Sequence, residues 1–340
     1  MGPTIYDIAR VAKVSKSTVS RVLNNKSNIS EESRTRVMQA IEELNYQPSK
    51  LARALTSSGF DAIMVMSRST KTTAGNTFFS EIIHSISMRA EEENFDVILQ
   101  TSKNSKDELE KCIAKIRGRM IKGILMLSSP ANEDFFKELD KYDIPIVVIG
   151  KLEEDFENIY SVDTDNFKDS YDLVQHLIDN GHRDIACLHS SLDYHVSIDR
   201  LEGYKKCLMD NGIPLRPDRI IDSGYTMEQA YDTSEALLTS DDIPTAIFAI
   251  DDLKIIGLYN TAAKLGISIP KDISIVGYNN GIFSPLLSPP LTGIEVPIIK
   301  LGEVATNLLF SIIKKQDDLQ EPIIVPTKIL EQKSVTTIHS

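Results

Sequence analysis

Lys16, Ser17, Ser20, Arg21 and Asn24 lie close together, at spacings that share the outward side of one helix. Two cations, two hydroxyls and an amide can hold phosphate oxygens and read the edges of base pairs. Ser15 precedes them as a candidate N-cap, with Thr18 in the first turn, where backbone N–H groups also suit a phosphate. Little elsewhere points to bond-breaking chemistry. His182 and His189 lie near Asp184, Ser190 and Ser191, but closeness in sequence does not make a triad, and "GHRDI" reads as a structural histidine. Cys112, Cys187 and Cys207 lack pair spacing, which suits a reducing cytoplasm and neither a disulfide framework nor a metal knuckle. No His, Cys and carboxylate grouping has metal-ligand spacing, and neither a dinucleotide glycine fingerprint nor a phosphate loop occurs. The expectation is a protein that is not an enzyme and needs no cofactor.

Those outward residues require a scaffold. Thr4 can cap a first helix, with Asp7 in a capping-box position and Ile5, Ile8, Val11 and Ala12 on one face. Val14-Ser15 breaks the run, and Val19, Val22 and Leu23 supply the inward face of a second helix. A third starts at Ser30, with Glu31 and Glu32 where the helix dipole favours anions, and buries Val37, Ile41 and Leu44. Three short helices with a tight turn between the first two follow the helix-turn-helix plan. Charge agrees with a polyanion partner. Residues 1–60 hold nine Lys/Arg against five Asp/Glu, inside a chain whose formal net charge is -12. The competing reading is a small packing domain with a polar surface.

The segment "TIYDIARVAKVSKSTVSRVLNN" strongly resembles the DNA-reading head of the lactose/galactose-repressor family of bacterial transcription regulators. "RVMQAIEELNYQPSKLARAL" continues the resemblance into that family's third helix and linker. The resemblance implies DNA contacts from Thr4, Ser15, Lys16, Ser17, Thr18, Ser20, Arg21 and Asn24, and a hinge helix in "PSKLARALTSS". Two turns are marginal as a free helix. In family members a leucine at the Leu55 position wedges into the minor groove beside a small residue, here Ala54; unstacking costs a few kcal/mol, offset by contacts to the bent duplex. Leu55 packing onto the body is the alternative.

Beyond residue 60, "DAIMVM", "FDVILQT", "GILML" and "IPIVVIG" read as buried parallel strands between amphipathic stretches, and "DIACLH", "AIFAI" and "ISIVGY" form a second series. Helices are expected at about 166–180, 197–211, 227–239 and 253–265. Two α/β blocks predict two doubly wound lobes, with a ligand crevice at the carboxyl ends of the strands. "VDTDNFKDSYDLVQHLIDNGHRDIACL", "DRLEGYKKCL" and "AIDDLKIIGLY" resemble the same family's effector-binding core, itself similar to periplasmic sugar-binding proteins. The resemblance implies a head at 1–47, a hinge and linker at 48–60, one lobe at 61–161 plus 293–322, and a second at 162–292 plus 323–340.

It also implies a cleft. Arg200 matches an arginine that holds the effector, and its guanidinium fork suits paired hydroxyls or a carboxylate. Tyr225 stands where members place an aromatic, Phe78 and Phe79 match an aromatic pair (or are simply core), and Asp251 offers a polar side chain. Asn279-Asn280 replaces the usual acidic pair, which exchanges an acceptor-only group for one that also donates. Here the chain resembles maltose-operon repressors of Gram-positive bacteria, so maltose or a short maltodextrin is the expected effector. The full expectation is a homodimeric repressor on a palindromic operator, released when sugar closes the cleft, with corepression an alternative sign. A global catabolite regulator activated by a phosphorylated carrier protein, and a non-regulatory sugar-binding protein, stay open. No apolar run approaches a membrane span and the N-terminus lacks a secretory layout, so a cytoplasmic protein is expected.

Overall fold

The computed structural model describes residues 3–23, 28–46, 60–67, 77–279, 286–316 and 321–338. Residues up to Phe60 and those from Asp61 onward are two separate compact units. Asn24, Ala54 and Leu55 lie outside the described residues.

The head holds α1 (Ile5–Val11), α2 (Lys16–Leu23) and α3 (Glu31–Glu43). Thr4 donates its N–H and its hydroxyl to Asp7 Oδ2, at 3.0 and 2.8 Å, and so starts α1. Ser15 Oγ accepts from the Thr18 N–H at 3.1 Å at the start of α2. Ser30 Oγ accepts from Ser33 N–H at 3.3 Å before α3. Ile8, Ala12, Val19, Val22, Val37 and Ala40 form the buried centre, while Ile5, Val11, Leu23, Ile41 and Leu44 close it as partly buried residues. Ala40 was missed because an alanine adds little to a hydrophobic pattern.

The body begins with β1 (Ala62–Ser67), α4 (Thr77–Glu92), β2 (Asp96–Thr101), α5 (Ser105–Arg117), β3 (Gly123–Met126), α6 (Glu133–Leu139), β4 (Ile146–Ile149) and β5 (Ile159–Asp163). It continues with α7 (Asn166–Asp179), β6 (Ile185–His189), α8 (His195–Asp210), β7 (Ile220–Asp222), α9 (Met227–Leu238), β8 (Ala246–Ala249), α10 (Asp252–Leu265) and β9 (Ser274–Asn279). Last come β10 (Thr292–Glu295), α11 (Ile298–Ile313), β11 (Ile323–Ile324) and β12 (Lys328–Leu330). β1, β3 and β4 are buried along their whole length, as parallel strands covered on both faces must be.

Two six-stranded sheets result, in the orders β11-β5-β4-β3-β1-β2 and β12-β10-β9-β8-β6-β7. Among the described residues every strand pair is parallel except β10 with β12. Each sheet repeats one doubly wound order, whose carboxyl ends form a crevice at the switch point.

Pairing corrects the expected lobe boundaries. β5 runs to Asp163 in the first sheet, so the first crossing lies at 164–165 rather than near 161. Thr292–Glu295 pairs with β9 in the second sheet, so the second crossing follows 295 rather than 292. Ile323 and Ile324 pair with β5 in the first sheet, which moves the third crossing from 322 to after 324. A lobe boundary follows strand partners, and local composition does not carry that information.

Candidate functional site

Ser15, Lys16, Ser17 and Arg21 are exposed along α2, with Thr18 and Ser20 half-buried beside them. The Ser15 hydroxyl lies 2.8 Å from both Ser17 Oγ and Thr18 Oγ1, so three hydroxyls gather at the start of α2. Lys16 Nζ donates to Tyr6 Oη at 3.0 Å and sits 4.6 Å from that ring's centroid. Tyr6 is 66% exposed, and the Lys16 hydrogen bond holds its phenol below the usual tyrosine range. Sequence reading passed over Tyr6, since a lone exposed tyrosine carries no periodic signal.

In the body, strand ends at the carboxyl edges of both sheets converge on a cavity of about 120 Å3. Leu127, Ser128 and Ser129 follow β3, Gly150 follows β4, and Asp163 ends β5. Ser190 follows β6, Ile250 and Asp251 follow β8, and Val296 follows β10. Gly150 turns with φ +142°, and a Cβ there would meet Ser129 Cβ at 2.8 Å. Phe78, Phe79, Arg200, Tyr225 and Tyr278 complete the part used below.

Arg200 is fixed from three sides. Its Nε donates to Asn166 Oδ1 at 2.8 Å, Nη1 donates to the Ile250 carbonyl at 2.5 Å, and the guanidinium carbon stands 3.3 Å from the centroid of the Tyr278 ring. Such a stack is worth up to about 2 kcal/mol when desolvated. Tyr278 is itself held, since its hydroxyl donates to the Asn166 carbonyl at 3.0 Å and meets Ser170 Oγ at 3.0 Å. The Tyr225 hydroxyl donates to the Ser191 carbonyl at 2.8 Å, and the ring meets Tyr194 edge to face. Phe78 and Phe79 pack edge to face at 5.4 Å; Phe79 is buried and Phe78 is half-buried.

Two carboxyls differ sharply. Asp251 caps α10, with Oδ1 accepting the N–H groups of Leu253 and Lys254 at 3.0 and 3.2 Å. Its Oδ2 accepts Ser190 Oγ and Lys254 Nζ, both at 2.9 Å. Lys254 is fully buried and gives its other two protons to Ser190 Oγ at 2.7 Å and the Gly224 carbonyl at 2.5 Å. Burial pushes the Asp251 carboxyl up, but Lys254, Ser190 and the cap outweigh it and hold the group below the ordinary carboxylate range. Asp251 reaches the cavity with its four acceptor positions filled. Asp163 is the reverse case. Burial pushes it up to about 7, against the opposing pull of the Thr164 N–H, Arg200 and Asn166. The Ser128 hydroxyl, also on the cavity wall, is buried and has no hydrogen-bond partner among the described residues.

The nucleophile candidates do not assemble. His189 Nδ1 meets the Ser190 carbonyl at 2.8 Å, while Ser190 Oγ is engaged by Asp251 and Lys254. His182 bridges Thr245 Oγ1 and the Thr336 carbonyl, each at 3.0 Å, as a structural histidine does. All three cysteines are buried; burial raises their thiols, that of Cys207 up to about 12. Among the described residues no group of three metal-ligating side chains forms, and no helix is long and apolar enough to cross a membrane.

Residues 4–49 match the family described as bacterial regulatory proteins, lacI family, and residues 174–335 match a periplasmic binding protein-like domain. Catabolite control protein A of Priestia megaterium is 32% identical over 97% of this chain and 98% of its own. The chain belongs to the lacI family. The HTH-type transcriptional repressor PurR of Histophilus somni is 30% identical over 98% of this chain and 99% of its own. A solved structure of a transcriptional regulator CelR–cellobiose complex superposes with TM-score 0.73 at 26% identity, over 98% of this chain and 99% of that one. As a lacI-family member the protein is a DNA-binding transcriptional regulator with a ligand-binding body, and it is not an enzyme.

In this lacI-family body, Phe78, Phe79, Arg200, Tyr225 and Asp251 all line one cavity. Asn279 ends β9, but its side chain is outside the described residues. Asp163, Asn166, Ser190, Tyr278 and, behind them, Lys254 were not singled out from the sequence. The carboxyl-end rule could have found Ser190, which follows the expected strand "DIACLH", but not Asp163, because β5 was not read as a strand. Lys254 stands three residues after Asp251, a local ion-pair spacing, but its burial and its bond to Ser190, 64 residues away, leave no local signal.

Proposed function

We propose that this protein is a homodimeric repressor of a sugar-utilisation operon, released from a palindromic operator when a neutral sugar occupies the cleft. The observation that carries the reading is Arg200, clamped by Asn166, Ile250 and the Tyr278 face, and lining one cavity with Phe78 and Tyr225. Aromatic faces suit the C–H side of a sugar ring, and fixed donors suit its hydroxyls. The cavity of about 120 Å3 is somewhat below the roughly 150 Å3 that holds benzene, so it encloses part of a sugar and leaves the rest toward the mouth. Maltose is the favoured effector, with one glucose unit innermost and the other toward the mouth. Its support is the Asn279-Asn280 pair together with the structurally similar transcriptional regulator solved with cellobiose.

On the DNA side, α2 enters the major groove, with Lys16 and Arg21 on phosphates or bases and Leu55 as the minor-groove wedge. Replacing Lys16 or Arg21 by Ala is expected to weaken operator binding and, for a phosphate contact, to flatten the slope of log affinity against log salt by about 1. Salt titrations by fluorescence anisotropy check this. Slopes unchanged in both variants would take both side chains off the phosphates.

Control by a phosphorylated carrier protein is the second reading, and the similarity to a catabolite control protein favours it. Operator binding at one moderate salt concentration, titrated separately with glucose, maltose, maltotriose and a phosphorylated carrier protein, separates the two. Loss of operator with a sugar supports the first. Tighter operator binding with the carrier alone supports the second.

A further inference from the structure

Among the described residues that line the cleft, only Asp163, Arg200 and Asp251 carry a formal charge. Asp251 is neutralised from behind by Lys254 at 2.9 Å and has no acceptor position left. The ligand therefore meets one cation and one carboxyl that is only partly used. Asp163 Oδ1 accepts the Thr164 N–H at 2.8 Å and the Asn166 amide at 3.1 Å; among the described residues Oδ2 takes no hydrogen bond, and the residue lines the cavity. Asn166 also holds Arg200, so one amide sets the spacing of both groups.

We propose that Asp163 is an effector-binding and specificity-determining residue, which with Arg200 grips a pair of hydroxyls on an uncharged sugar and turns away phosphorylated or carboxylated ligands. The inference rests on the sugar-sensor reading and names the charge class of its ligand. Arg200 alone would welcome a phosphate or carboxylate. With Asp163 beside it the cradle has no net charge, and an anion must face a carboxylate in a site shielded from water. A hydroxyl can instead donate to Asp163 Oδ2 while a neighbouring hydroxyl accepts from Arg200. Asp163 ends the strand that leads into the first crossing between lobes, so a ligand it holds lies beside that connection.

The groups facing Asp163 are Arg200 and Asp199 from α8, with Asp169 of α7 and Tyr278 of β9 in the same electrostatic cluster. Asp199 is paired with Lys151 at 3.2 Å, and Tyr278 is buried and stays protonated. Asp169 is buried and tied to Thr327 Oγ1 at 2.5 Å. Asp163 is thus the cavity-lining group that changes charge near neutral pH. The ionised form accepts from a sugar hydroxyl, so affinity for a neutral sugar rises as pH goes from 6 to 8. Affinity for an anion moves the other way.

Calorimetric titration of the full-length protein with maltose, glucose, glucose 6-phosphate and glucuronate, at pH 6 and pH 8, tests the assignment. Intact protein should bind a neutral sugar, more tightly at pH 8, and reject both anions. Asp163→Asn should weaken the neutral sugar by roughly tenfold to a hundredfold, the loss of one charge-assisted hydrogen bond. It should also flatten the pH dependence and improve binding of the anions relative to the sugar. Neutral-sugar affinity that is the same in Asp163→Asn and constant between the two pH values would overturn the proposal, as would an anion preferred by the intact protein. The pH arm uses unaltered protein, so it stands even if the variant folds poorly. No heat with any of the four ligands rejects the sugar-sensor reading itself, and this assignment falls with it.

Discussion

Asp251→Ala is expected to destabilise the ligand-binding body by about 3–5 kcal/mol, the usual cost of stranding one partner of a buried ion pair. The substitution leaves the Lys254 ammonium fully buried, with only Ser190 and the Gly224 carbonyl to receive its protons. It also strips α10 of the cap that holds the N–H groups of Leu253 and Lys254. For a unit of this size the melting temperature should fall by on the order of 10 °C. Lys254→Met is the informative partner. Methionine fills the apolar path of the lysine stem, and Asp251 keeps its two cap bonds and the Ser190 hydroxyl, so the loss should be smaller, about 1–3 kcal/mol. Thermal or urea denaturation of the two variants ranks them. A Lys254→Met protein less stable than Asp251→Ala would mean that the carboxylate, not the ammonium, is the charge that depends on the pair.

The second large effect concerns Arg200. Arg200→Lys keeps the charge but loses the planar stack on Tyr278 and the fork that reaches Asn166 and Ile250 together. A desolvated, hydrogen-bonded cation at a binding site costs about 2–4 kcal/mol when its geometry is lost, roughly thirtyfold to a thousandfold in affinity. The expected result is a protein in which the ratio of operator affinities without and with sugar falls to one. Melting curves in parallel exclude unfolding as the cause. Sugar affinity within threefold of the intact protein would show that Arg200 positions Tyr278 and Asn166 without touching the ligand.

Much of the architecture is legible where a local period is strong. The helices expected near 166–180, 197–211, 227–239 and 253–265 appear as α7 to α10 with ends that differ by at most two residues. The buried strands of both sheets follow their apolar runs. α11 was not read, because "IIKLGEVATNLLFSII" is apolar around much of its circumference and shows no polar face against which to count. β11 and β12 are two and three residues long and partly exposed, too short for any period. The lobe crossings slipped by two to three residues for a related reason: which sheet a strand joins is a long-range fact.

The site divides along the same line. Arg200, Tyr225 and Asp251 stand out by residue type beside recognisable motifs. Asp163 and Lys254 owe their importance to partners far along the chain, Arg200 for one and Ser190 for the other. The Asp251–Lys254 spacing is local, but that the lysine is buried and reaches Ser190 shows only once the start of α10 and the end of β6 are brought together.

Operator affinity of the full-length protein, with and without saturating maltose, at one fixed salt concentration and on a palindromic duplex selected by the protein itself, addresses the central claim. Maltose should weaken operator binding by roughly fivefold to 150-fold, the range of a coupling of about 1–3 kcal/mol between sites. Maltose that binds the body, measured by calorimetry in the same buffer, yet leaves operator affinity unchanged would contradict the account.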